Sequence, residues 1–168
     1  MNIGALNACD RASFVNVLGA IFEDSPWVVD RAWYRRPFAA ADDLMAAMLA
    51  VVEAASNDEK LALIRTHPDL AGKAARAGAL TEHSASEQAG VGLDRLSDEE
   101  YARFHRLNDA YKARFGFPFV IAVRGHNRET ILAAFATRLQ NDQGSEMAEA
   151  LHNIGLIAQF RLEGMLAG

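Results

Sequence analysis

The sequence predicts an all-α fold, and three observations carry the prediction. Of its 168 residues, 32 are alanine, the best helix former, and only four are proline. Apolar residues recur at i, i+3, i+4 spacing through most of the chain. Ser, Asp or Asn before these runs, and Gly or Pro after them, mark starts and stops. The length fits one domain over residues 1–168, a bundle of about seven or eight helices with one short extended segment near 117–125. A chain of this size buries roughly 68–70% of its unfolded surface and needs no disulfide or metal staple.

The helices follow in order. Asp10 or a neighbour opens the first, with Phe14, Val17, Leu18 and Ile21 on one face. Ser25 before Pro26 reads as an N-cap followed by proline at the first helical position, starting a short helix through Trp27 and Trp33. Asp42 is expected to cap an Ala-rich helix carrying Leu44, Met48, Val51 and Val52. Asp58 is expected to open a helix through Leu61 and Ile64 that stops before Pro68. Ser97 and Glu100 form a capping box ahead of Phe104, Leu107, Asn108, Tyr111 and Phe115, with Gly116 and Pro118 as stop signals. Asn127 caps a helix with Ile131, Leu132, Phe135 and Leu139. Ser145 opens the last, whose inner stripe runs Met147, Leu151, Ile154, Ala158, Leu162 and Met165.

Two stretches break this rhythm. Residues 68–83 mix Gly72 and Gly78 with small and polar residues and read as a loop with at most one weak helical turn. Residues 117–125 are apolar, contain Pro118 and favour an extended backbone. Extended backbone inside a helical protein must find partners for its N–H and C=O groups. Neighbouring side chains or a ligand can both supply them.

Charge and composition remove several function classes. The net charge is −5 and no basic stripe appears, which argues against nucleic-acid binding. One cysteine, Cys9, excludes an internal disulfide framework and any cysteine-based zinc or iron–sulfur site. No apolar run reaches the roughly 18 residues of a membrane span, and no secretory signal is visible, so a cytoplasmic protein is expected. The five histidines form no H-E-x-x-H pattern, and no Gly-rich phosphate loop occurs. An enzyme with this sequence is expected to use acid–base groups without a cofactor.

Three local patterns could hold such groups. His67 sits at a helix exit fixed by Pro68; it can interact with the helix C-terminal dipole or transfer protons near neutral pH. Ser84-x-x-Glu87 is either a second capping box or a helix start that meets an anionic ligand. Arg161 falls on the inner stripe of the last helix, seven residues after Ile154. A guanidinium there must be paired, clamp a carboxylate, or reach water along its stem.

Together these segments resemble the OHCU (2-oxo-4-hydroxy-4-carboxy-5-ureidoimidazoline) decarboxylase family of urate breakdown. The matching text is His67-Pro68-Asp69-Leu70-Ala71-Gly72-Lys73, then Ser84-Ala85-Ser86-Glu87-Gln88 leading to Gly92-Leu93. It continues through Phe104, Leu107-Asn108, Tyr111 and Phe115-Gly116-Phe117-Pro118-Phe119-Val120-Ile121. Phe22-Glu23-x-Ser25-Pro26-Trp27 and Arg161 also fit, so the resemblance spans nearly the whole chain in order.

The resemblance implies an all-helical homodimer that removes CO2 from OHCU to give (S)-allantoin, with no metal and no organic cofactor. It makes His67 the acid–base group and proton donor, and Glu87 a second catalytic group accepting hydrogen bonds from substrate N–H groups. Pro68, Ser84, Gln88, Phe119, Ile121, Val123 and Arg161 become substrate-binding residues. Arg161 is expected on a carbonyl oxygen, because clamping the departing carboxylate stabilises the ground state. The chain ends Leu166-Ala167-Gly168, without a Ser-Lys-Leu-type peroxisomal address, in line with a cytoplasmic enzyme. Two other readings compete: a helical binding module without catalysis, and a relative acting on a different ureido or purine-derived acid.

Overall fold

The structure, a computed structural model, describes residues 1–168. It contains ten α-helices and no strand, and eight of the helices have seven residues or more. The all-α expectation holds. The surplus over seven or eight comes from α1 (Ile3–Ala8) and α6 (Lys73–Arg76), both too short to show periodicity. The chain divides into two units, residues 1–66 with 155–168, and residues 67–154.

In the first unit Asp10 caps α2 (Arg11–Leu18) as expected, accepting the Ser13 N–H at 2.7 Å. Phe14, Leu18 and Ile21 are fully buried, each worth about 1.5–3 kcal/mol relative to exposure. Next comes α3 (Pro26–Ala32), but its Ser25 makes no side-chain cap; the hydroxyl donates to the Glu23 carbonyl instead. A 3-10 turn, Trp33–Arg35, follows. The cap of α4 (Ala41–Ala54) is Asp43, not Asp42: its carboxylate reaches back to the N–H groups of Ala39 and Ala40. Only the residue at the third helical position can reach back this way, and Asp42 is one position early.

Likewise, Ser56 and Glu59 form the capping box of α5 (Asn57–Arg65), with Asp58 already inside the helix. Helix α2 packs on α3, and α3 packs on α4. The last helix, α10 (Gln143–Ala167), begins before Ser145, because the Asp142 carboxylate takes the Ser145 N–H at 2.7 Å. Its buried stripe is Glu146, Ala150, Asn153, Ile154, Ile157, Ala158, Arg161 and Leu162. Met147, Leu151 and Met165 lie at its edge, so the buried stripe is displaced by about one position from the expected one and carries three polar groups.

The second unit holds α6, α7 (Glu82–Gly90), α8 (Asp98–Phe115), α9 (Arg128–Arg138) and the start of α10. Ser97 with Glu100 and Asn127 with Thr130 form the capping boxes of α8 and α9. Gly116 ends α8 in the left-handed region at φ 78°, where a Cβ is strained, and its N–H returns to the Lys112 carbonyl. Helices α8 and α9 pack together over Phe104, Tyr111, Phe115, Phe117, Phe119 and Phe135, with the Phe119 and Phe135 rings stacked 3.7 Å apart. Residues 118–123 are buried and belong to no helix or strand.

Candidate active site

His67 follows α5 by two residues and is buried. The loop after it is held from α7 and α8. Gln88 accepts the Ala71 N–H at 2.9 Å and donates to the Asp69 carbonyl at 3.3 Å. Asn108 donates to the Leu70 carbonyl at 2.9 Å, and Lys112 pairs with the Asp69 carboxylate at 2.7 Å. This grip holds Ala71 at φ 51°, a left-handed conformation that an alanine adopts only at a cost. Sequence reasoning placed Gln88 among the ligand contacts; both ends of its amide are here occupied by the loop.

Thr81 is the N-cap of α7, taking the Ser84 N–H on its hydroxyl at 3.3 Å. The reading of Ser84 and Glu87 as a capping box is therefore corrected: Ser84 stands at the third helical position and Glu87 at the sixth. The capping motif is a Thr three residues upstream, in a stretch read as loop. Ser84, Glu87 and Gln88 stand at i, i+3 and i+4, which puts them on one face of α7. Ser84 and Gln88 are buried and Glu87 is half-buried. Since Gln88 grips residues 69–71, this face abuts the loop that begins at His67 and Pro68.

A cavity of about 370 Å³ is lined by Pro68, Asp69, Lys73, His105, Asp109 and Lys112. Of the expected site residues it takes in only Pro68. Within it Lys112 pairs with the Asp69 carboxylate, and His105 Nε2 lies 3.4 Å from the Asp109 carboxylate. No group of three or more His, Cys, Asp or Glu could hold a metal ion.

Phe119, Ile121 and Val123 stand in the buried segment after Pro118. Side chains meet part of its backbone: Arg138 Nη1 donates to the Val120 carbonyl at 2.6 Å, and the Ala122 N–H donates to Asn153 Oδ1 at 3.0 Å. Both partners come from helices, and neither was singled out from sequence. Arg138 follows Phe135 by three residues and Ile131 by seven, so the rule that drew notice to Arg161 would have found it too.

Arg161 is buried and paired. Its Nη2 donates to Glu23 Oε2 at 2.8 Å and its Nη1 to the Ala20 carbonyl at 3.3 Å. The open choice between pairing and reaching water is settled for pairing. Glu23 was missed as a functional candidate, although it lies in the Phe22–Trp27 motif.

The family model described as OHCU decarboxylase matches residues 7–163. A relative named 2-oxo-4-hydroxy-4-carboxy-5-ureidoimidazoline decarboxylase, from Haloferax volcanii, is 42% identical over 96% of this chain and 94% of its own. The uric acid degradation bifunctional protein of Bacillus sp. strain TB-90 is 39% identical over 97% of this chain, which spans 32% of that protein. A crystal structure of (S)-allantoin synthase superposes with a TM-score of 0.79 at 31% identity. It matches 99% of this chain, which spans about half (54%) of the solved one.

Proposed function

The chain belongs to the OHCU decarboxylase family, and from that premise we propose that it converts 2-oxo-4-hydroxy-4-carboxy-5-ureidoimidazoline to (S)-allantoin and CO2 in urate degradation. The observation that carries this reading is the extent of the match. It runs from residue 7 to 163 and so includes every residue given a role below.

The chemistry needs little from the protein beyond placement. As CO2 leaves, the electron pair of the broken C–C bond passes into the adjacent ring imine. The ring hydroxyl becomes a carbonyl as its proton passes to that ring nitrogen, and one proton from outside arrives at the carbon bearing the ureido group. Delivery from one face sets the handedness of the product. Orientation and one positioned acid are the main contributions a protein can make to such a step.

His67 is the proton donor in this reading, supported by its burial at the start of a loop held by three side chains. Glu87, on the α7 face next to that loop, accepts hydrogen bonds from substrate N–H groups and serves as the second catalytic residue. Ser84 contacts the substrate from the same face. Pro68 packs beside it, and the backbone of Phe119, Ile121 and Val123 hydrogen-bonds the planar ring. Arg161 takes a carbonyl oxygen, its guanidinium oriented by Glu23. Gln88 keeps a place at the site, and its bonds to residues 69–71 support an indirect share through the loop.

The resemblance also supports a homodimer, a cytoplasmic setting, catalysis without metal or organic cofactor, and residues 1–168 acting as one domain. No helix is long and apolar enough to cross a membrane. Sedimentation tests the dimer directly.

The reading is tested by generating OHCU from urate with the two upstream enzymes and following its decay optically. Wild-type protein should accelerate the decay over the spontaneous rate, and His67→Asn should abolish the acceleration while keeping its helical circular dichroism. No acceleration by wild type overturns the proposal. Normal turnover by His67→Asn removes the acid–base role from His67 and leaves the decarboxylase reading standing.

A further inference from the structure

The buried segment 118–123 is tied on one side only where residues 120 and 122 are concerned. The Val120 carbonyl goes to Arg138 and the Ala122 N–H to Asn153. In extended backbone, successive residues turn their N–H and C=O groups to opposite sides. The Val120 carbonyl and the Ala122 N–H thus meet the Arg138–Asn153 side, and by the alternation of extended backbone the groups of Phe119, Ile121 and Val123 are expected on the other. The Val123 carbonyl then accepts the His126 N–H and closes the segment with a turn.

Both tethers are themselves held. Arg138 Nε donates to Glu146 Oε1 at 2.5 Å, and Glu146, fully buried, also accepts from the Tyr111 hydroxyl and from Asn141 Nδ2. The guanidinium carbon lies 4.3 Å from the centre of the Phe119 ring, so Arg138 touches the segment twice, at a carbonyl and at a ring. Its Nη2 is buried without a hydrogen-bond partner, a costly state for a mere connector. The Asn153 amide nitrogen donates to the Glu149 carbonyl at 3.0 Å and carboxylate at 3.1 Å, which fixes which end of the amide meets Ala122.

We propose that Arg138 and Asn153 are positioning residues of the decarboxylation. Acting from behind, they set the rotation of residues 119–123, so that the backbone groups of Phe119 and Ile121 and the N–H of Val123 meet the planar ring at fixed spacing. This rests on the reading that this segment binds the ring. Neither residue touches substrate. Their effect is preorganisation: a segment free to rotate would lose orientation each time the ligand bound.

The test compares four variants by calorimetric titration with (S)-allantoin, by KM and kcat on OHCU, and by thermal unfolding. Asn153→Ala should weaken (S)-allantoin binding and raise KM by about tenfold, the scale of one lost hydrogen bond with its buried partner left unmet, while kcat stays within about twofold. The double variant Asn153→Asp with Glu149→Gln keeps an acceptor for Ala122 and reverses the donor between the two side chains, giving up only the bond to the carbonyl of residue 149. It should restore binding. Ile121→Pro removes an N–H from the ligand-facing side and should abolish binding directly.

If Ile121→Pro loses binding and Asn153→Ala does not, the positioning role is wrong and the site reading survives. If neither loses binding, the site reading fails and takes the proposal with it. A fall in unfolding temperature for Asn153→Ala with unchanged KM and affinity would mark a purely structural role and overturn the proposal. Arg138→Lys keeps a charge for Glu146 but loses the planar fork that donates to Glu146 and to the Val120 carbonyl at once. It should shift KM in the same direction, and unchanged affinity there contradicts the proposal even if Asn153→Ala does not fold.

Discussion

Arg161 and Glu23 stand 138 residues apart in the chain and meet at 2.8 Å, each side chain only 2% exposed. Removing one partner of such a pair leaves a charge buried and unmatched. Glu23→Ala is expected to lose about 3–5 kcal/mol of stability, whereas Glu23→Gln, which can still accept from the guanidinium, loses less. Urea unfolding with an unchanged slope measures the difference. An unchanged midpoint in Glu23→Ala would show that the pair contributes nothing to the fold.

The Gln88 amide is one of three side chains that hold the loop after His67. Gln88→Leu removes the bonds to Ala71 and Asp69 and leaves the Ala71 N–H unmet in a buried place. The expected loss is about 1–3 kcal/mol, with faster hydrogen exchange at the Ala71 amide. Ser86→Ala, at an exposed position of the same helix, is the control. Equal exchange at Ala71 in Gln88→Leu and wild type would show that the loop is held by something else.

These two contacts also show where sequence reasoning stops. Ser97 with Glu100 and Asn127 ahead of Arg128 were legible because a cap and its helix are adjacent in the chain, and the physics is local. Asp42, Asp58 and Ser145 were near misses of a single kind: several polar residues in a row could each cap, and reach to the right N–H decides; Ser25 holds the N-cap position before Pro26 as expected, but its hydroxyl turns to the Glu23 carbonyl. At Ser84 the true cap, Thr81, lay inside a Gly-containing stretch with little periodicity. The residues proposed to carry the chemistry could be named through local motif text. Their supports could not, because Glu23 meets Arg161, and Asn153 meets Ala122, only through the tertiary fold. Burial of a charge on an apolar stripe was the one visible sign, and it pointed to Arg138 as much as to Arg161.

Acid should destabilise the folded chain through its caps and surface pairs. Glu100 is held below its ordinary 4.5 by the Ser97 N–H and by Arg128, and Glu59 by Arg31 and the Ser56 N–H. Asp142 and Asp10 are held below 3.8 by the N–H groups of Ser145 and Ser13. A carboxyl whose folded pKa is lowered adds stability that is complete above its unfolded value. That stability erodes as pH falls below this value and is gone beneath the folded one. Unfolding temperature should therefore be level near neutrality and drop below about pH 4.5. Glu100→Gln should show a smaller drop than wild type; an identical acid limb would contradict the assignment.

Tyr111 gives the opposite sign. Burial, then the hydrogen bond to Glu146, pushes its phenol far above the usual 10.0. The folded state thus keeps a proton that the unfolded state loses, and stability present below pH 10.0 declines as pH rises past it. In the folded protein at alkaline pH, Tyr111→Phe should show the same phenolate absorbance change as wild type. A smaller change in the variant would mean that Tyr111 ionises while folded.

Handedness of the product tests the central claim most directly. Spontaneous decay of OHCU has no chiral acid, whereas a proton from a fixed His67 reaches one face of the ring. Allantoin formed in the presence of the protein should show the circular dichroism of the (S) form from the first minutes, at a rate above the spontaneous one. Racemic allantoin, formed no faster than without protein, would contradict the account.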